Sequence, residues 1–165
     1  MMATKHSLGN YSSPSESMTV KLEIPDFTNQ MTRGRDAKVE SPIFTIRGKD
    51  LRIIVTPNDR NNKSIGVYLG NYSEDTVTAK FTVKTYKLSI KCSFGTKQYG
   101  QYELTILNKK EIGAGKNSGL ARYRSHREYR WFMKSADDVF RLELEVTLYF
   151  SAKDMNCSKK RSGLL

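Results

Sequence analysis

Residues 41–70 read SPIFTIRGKDLRIIVTPNDRNNKSIGVYLG, three apolar runs separated by two clusters of turn formers. Positions 43–46 and 51–56 are rich in β-branched residues, which fit a pleated, half-buried surface. Arg47-Gly48-Lys49-Asp50 between them has the length and chemistry of a hairpin turn. PNDRNNK at 57–63 is a second, denser turn. Positions 64–69 then alternate, with Ile65, Val67 and Leu69 on one face and Tyr68 on the other. Strand, turn, strand, turn, strand without a helical period decides for an all-β fold.

The same rhythm extends outward. At 19–24, Val20, Leu22 and Ile24 alternate with polar residues until Pro25-Asp26 ends the run, and a polar connection over 28–40 reads as a loop. Positions 77–90 are rich in Thr, Val, Phe and Tyr, one strand with a bulge or two joined near Tyr86-Lys87. The glycines of 92–100 mark a turn, and Tyr102, Leu104 and Ile106 alternate in a further strand. Residues 113–119 read as a flexible loop. Ser125-His126-Arg127-Glu128 fits a capping box that opens a short helix reaching about Met133. Leu142, Leu144, Val146, Leu148 and Phe150 alternate with polar partners in the clearest strand of all. The expectation is an antiparallel β-sandwich of about 7–8 strands with one short helix. It occupies residues 18–151 of the 165, between a disordered arm at 1–17 and a disordered basic tail at 152–165.

The order of these motifs resembles the meprin and TRAF homology (MATH) domain, a TRAF-like β-sandwich. The likeness rests on Ser41-Pro42-Ile43-Phe44-Thr45-Ile46, the apolar strand ending at Pro57-Asn58, and Gly66-Val67-Tyr68-Leu69. It continues through 71–83 and returns at Ser118-Gly119-Leu120 and 141–148. The resemblance implies a protein-recognition module that binds short extended peptides along a groove at a sheet edge, by strand addition plus side-chain pockets. TRAF adaptors and the speckle-type POZ ubiquitin-ligase adaptors work in this way, so an adaptor role in signalling or the ubiquitin pathway is implied here. It places the peptide site at Ser64, Tyr68, Phe81 and Asn117-Ser118-Gly119-Leu120. The last four stand where the family often carries an Asp-Trp-Gly-Phe-like motif; the glycine is kept, while the charge and both aromatics are lost. Ser64 replaces another groove aromatic, and Phe81 aligns with a retained one. True hot-spot residues contribute about 2 kcal/mol or more each, so the specificity must differ.

The formal net charge of +11 invites a nucleic-acid reading. No zinc-finger spacing, glycine-rich RNA-reading strand or basic zipper accompanies it, and lysines on sandwich strands also line solvent faces and protect edges. Arg122, Arg124, Arg127 and Arg130 offer either a solvated face or a surface for an acidic peptide. Tyr123, Tyr129, Trp131 and Phe132 among them are read as packing against the sheet.

Catalysis finds little material. The two histidines are His6 in the expected arm and His126, read as solvent-facing in the capping box. Asp137-Asp138 reads as a turn and Glu143 with Glu145 as a polar strand face, so no metal is assigned. Gly113-Ala114-Gly115-Lys116-Asn117-Ser118-Gly119 fails as a phosphate loop. Lys110 stands where its first glycine belongs, and Asn117 where a hydroxyl should follow the lysine. Cys92 and Cys157 are read as free thiols, and the four Asn-x-Ser patterns at Asn10, Asn62, Asn71 and Asn156 as incidental. No secretory pattern or membrane span is recognised, so the expected address is cytoplasmic or nuclear. The functional expectation is a non-enzymatic peptide-binding domain without a cofactor, its partner an extended and acidic protein segment. A nucleic-acid-associated protein and a self-associating scaffold are the alternatives.

Overall fold

The computed structural model describes residues 2–7, 14–34, 37–59, 63–92 and 96–150, with side chains outside 2–7, 86–92 and 96–101. Ten strands occur among the described residues: β1 (Met2–Ser7), β2 (Ser15–Ile24), β3 (Val39–Glu40), β4 (Phe44–Ile46), β5 (Lys49–Asp59), β6 (Ser64–Asn71), β7 (Val77–Cys92), β8 (Thr96–Ile112), β9 (Asn117–Ser125) and β10 (Phe140–Tyr149). They form two antiparallel sheets, ordered β1-β2-β10-β7-β8 and β3-β5-β6-β9, with β4 paired to β5. The all-β sandwich follows from the sequence, with more strands than the apolar runs alone disclose.

Alternation builds the core. Val20, Leu22 and Ile24 of β2, Val83 of β7 and Leu142, Leu144, Val146 and Leu148 of β10 face Leu51, Ile53, Val55, Ile65, Val67 and Leu69 of the other sheet, all buried. The hairpin at Arg47-Gly48 is as expected, with both residues at positive φ.

The arm expected at 1–17 is partly strand. Met2 to Ser7 pairs with Lys21 to Glu16, and β2 begins at Ser15. Ser15, Glu16 and Ser17 are polar yet buried, with Ser17 and Thr147 hydroxyls 2.7 Å apart and Arg47 3.3 Å from Glu16. Polarity alone concealed them. The rest of the arm, the tail at 152–165, Cys157 and the patterns at Asn10, Asn62 and Asn156 lie outside the described residues, as does the Cys92 side chain.

The connection at 28–40 is not simply a loop: it holds the end of helical turn α1 (Phe27–Gln30) and β3. Phe27 stacks on Phe140 at 4.4 Å and meets Tyr129 edge-on at 4.9 Å. Asp138, at the turn predicted there, accepts hydrogen bonds from the Tyr129 hydroxyl (2.7 Å), the Thr28 hydroxyl (2.9 Å) and the Thr28 amide (3.1 Å). Burial opposes ionisation of Asp138, but these donors outweigh it and hold its carboxyl below the usual range.

The predicted helix is one turn, α2 (His126–Glu128), capped by Ser125 Oγ accepting from the Glu128 amide at 3.0 Å. It runs into a π-helical turn, Tyr129–Met133, closed by Lys134 N–H donating to Tyr129 O at 2.7 Å. That widened turn sends Tyr129 and Met133 inward and leaves Trp131 66 % exposed, with Phe132 also at the surface. Only two of the four aromatics in that group, Tyr123 and Tyr129, pack in the core as expected.

Candidate peptide-binding edge

β9 runs from residues expected to be loop, 117–119, to the expected helix cap at Ser125, and NSGLARYRS lacks clean alternation. It is a strand because β6 supplies its register: Gly70, Leu69, Tyr68 and Val67 lie opposite Asn117, Ser118, Gly119 and Leu120. Beyond that, the register shifts between Ile65 and Val67, and β9 carries extra residues before Arg124 meets Ile65. Among the described residues β9 pairs with β6 alone. Its other side is therefore an open row of main-chain donors and acceptors.

Gly119 explains its own presence. A Cβ there would lie 2.1 Å from the Val67 carbonyl oxygen and 2.6 Å from Tyr68 Cα, backbone atoms that cannot swing aside. Beside it, the Tyr68 hydroxyl donates to Asp59 Oδ2 at 2.5 Å, and the Thr56 hydroxyl donates to the same oxygen at 2.8 Å. Gly66 leaves room for this group, because a Cβ would fall 2.2 Å from Asp59 Oδ2. Asp59 and Thr56 lie on β5, behind the edge, and fix the Tyr68 hydroxyl; sequence reasoning does not select them, since only their place beside a turn-rich stretch is visible.

The register brings Tyr68 and Asn117 to Leu120 together. Ser64 is displaced from them along β6, though the bulge in β9 brings Ala121, next to Leu120, within its reach. Ser64 lies opposite Ser125, three positions along β6 from the Val67–Leu120 pair, or about 10 Å. It is buried, its hydroxyl 3.4 Å from the Ala121 carbonyl. Phe81 is excluded outright. It belongs to β7 in the other sheet, between Leu107 and Val146, and is buried in the core. Motif order placed it beside the groove, but strand order places it elsewhere.

The four arginines also separate. Arg122, Arg127 and Arg130 are exposed. Arg124 instead crosses between the sheets, donating to Glu103 Oε2 on β8 at 2.8 Å and lying 4.4 Å from the Tyr123 ring centroid. Glu128, expected to reach back to the cap, sits 3.7 Å from Arg124 Nε. Burial pushes the Tyr123 phenol up to about 12.

His126 is buried, contrary to expectation, with Nε2 2.7 Å from the Pro57 carbonyl and its amide donating to Lys63 O. Desolvation lowers its pKa, the hydrogen bond to Pro57 opposing. It anchors the far end of β9. The near end is held at Asn71, whose Nδ2 donates to the Asp75 and Ile112 carbonyls at 2.8 and 2.9 Å and whose Oδ1 accepts from the Ser73 amide at 3.0 Å. The Asn-x-Ser pattern at Asn71 is thus a structural clamp, its amide nitrogen unavailable for a sugar. In the 113–119 segment, Gly115 at positive φ turns the chain, and the Gly115 and Lys116 amides donate to Asn71 O and Gly113 O. A phosphate would find neither amide free.

No group of three or more metal-ligating side chains occurs among the described residues, and no helix there is long and apolar enough to cross a membrane. Compared with known families and with curated proteins, the chain matches no family model and no curated relative.

Proposed function

We propose that this chain is a peptide-recognition domain of MATH type, taking a short extended segment of a partner protein as an added strand along β9. The observation that carries this reading is the one-sided pairing of β9, whose open edge borders Tyr68 and Asn117 to Leu120. Main-chain pairing supplies the affinity common to all sequences; the side chains alternating along β9 select among them. Lys116 and Arg122, both exposed, bracket the open stretch and favour an acidic segment. With no aromatic anchor on β9 between them, binding is weak, in the range of about 10–100 μM expected of a strand addition without hot spots. The reading assigns the chain no catalytic step and makes it an adaptor for a substrate or signalling partner in the cytoplasm or nucleus.

The test is a fluorescence-anisotropy titration of acidic, neutral and basic extended peptides against the wild-type chain, Leu120→Asp and Arg122→Glu. The acidic peptide should bind best, losing about tenfold with Arg122→Glu. Equal binding of all peptides, or a stronger salt-sensitive response to unrelated oligonucleotides, would replace this reading with the nucleic-acid one.

A further inference from the structure

β8 is the terminal strand of the other sheet on the same side of the sandwich as β9, and its surface differs in kind. Among the described residues it pairs with β7 alone. Tyr102, Leu104 and Ile106 alternate along it on the outer face, 62, 63 and 56 % exposed. Alternating apolar side chains beside an unpaired strand edge are what edge strands ordinarily avoid.

We infer that a second copy of this chain pairs with β8, antiparallel to it, about a two-fold axis at Leu104. That register sets Leu104 against its own counterpart, Tyr102 against Ile106 and Glu103 against Thr105. The apolar row therefore maps onto itself, as an isologous interface requires. It also fits the charge, which is the main obstacle to self-association in a chain of net charge +11. No lysine or arginine occurs between Lys97 and Lys109. The one charged residue of the paired stretch, Glu103, is already engaged by Arg124. Lys84, opposite Leu104 on β7, lies 3.8 Å from Glu143 and 4.3 Å from the Tyr102 ring centroid. Across the two-fold, the two Lys84 strands stand three strand spacings apart, about 14 Å. That exceeds the ~8 Å screening length at physiological salt, so their repulsion is slight.

The regular stretch ends where the β7–β8 register shifts between Ala79 and Phe81, opposite Leu107 to Lys110. Pairing therefore spans positions 101–107, and the interface falls below the ~1,200 Å² of a standard complex. The dimer is accordingly concentration-dependent.

Sedimentation equilibrium of the full chain between ~10 μM and ~1 mM should show the mean mass rising from one chain toward two. Leu104→Lys should weaken association at least tenfold, whereas Trp131→Ala, at an exposed apolar site away from β8, should leave it unchanged. With Cys92 and Cys157 replaced by serine, Leu104→Cys should oxidise to a covalent dimer and Lys109→Cys should not, since only position 104 faces itself. A chain monomeric throughout, association equally strong in Leu104→Lys, or loss with Trp131→Ala instead would overturn the inference.

Discussion

β8 and β9 are the open edges of the two sheets on one side of the sandwich, bridged by Arg124 and Glu103, yet they differ in what they present. β9 offers Asn117, Ser118, Gly119 and Leu120 with a cation at each end. β8 offers three exposed apolar side chains in a row and a stretch free of cations. On the reading proposed above, a glycine-bearing, cation-flanked edge would take a foreign acidic strand, and an apolar, nearly uncharged one its own copy. The same device, a strand paired on one side, would thereby be turned to different partners by which side chains alternate along it.

The largest effects should break the comparison at β9. Gly119→Ala drives a Cβ into the Val67 carbonyl and should cost about 3 kcal/mol in urea unfolding, while Ile106→Ala on β8 should change stability by less than about 0.5 kcal/mol. Next comes Asn71, which ties the end of β6 to the carbonyl that closes β8. Asn71→Ala strands that buried carbonyl and should cost about 2–3 kcal/mol by the same measurement. A double-mutant cycle on Arg124 and Glu103 should give a coupling of about 1 kcal/mol, because Glu103 remains about a third exposed. A coupling near zero would mean the edges are independent.

The smallest effect is a pH dependence that originates at His126, just past the end of β9. His126 has its pKa lowered in the fold, so below the unfolded value of 6.5 the unfolded chain binds more protons. Its contribution is complete above pH 6.5 and declines as pH falls through the folded pKa. The urea midpoint should therefore drop between about pH 7.5 and 5.5, and His126→Gln should flatten that part of the profile. A slope retained in His126→Gln would place the titrating group elsewhere.

Much of the sandwich is legible because alternation has a direct physical cause: β10 and the second half of β2 bury one face and announce it. The candidate site was legible only in part. Gly119 and Tyr68 stood out through motif order, but β9 did not read as a strand, since an edge strand with one half-covered face need not alternate. Phe81 was misplaced because sequence order does not say which sheet a strand joins. Trp131 was assigned to packing from its chemistry, whereas the wide turn at 129–133 decides its direction. The burial of polar residues such as His126 and Glu16 is not legible because their partners are a distant carbonyl and a distant charge that no local pattern encodes.

Amide hydrogen exchange of the chain with and without an acidic extended peptide tests the central claim most directly. Strand addition predicts new protection concentrated at residues 117–122, lost in Leu120→Asp, with β8 amides unchanged at concentrations where the chain is monomeric. Protection appearing on β8 or the arginine-bearing turn at 127–130, with 117–122 unaffected, would contradict it.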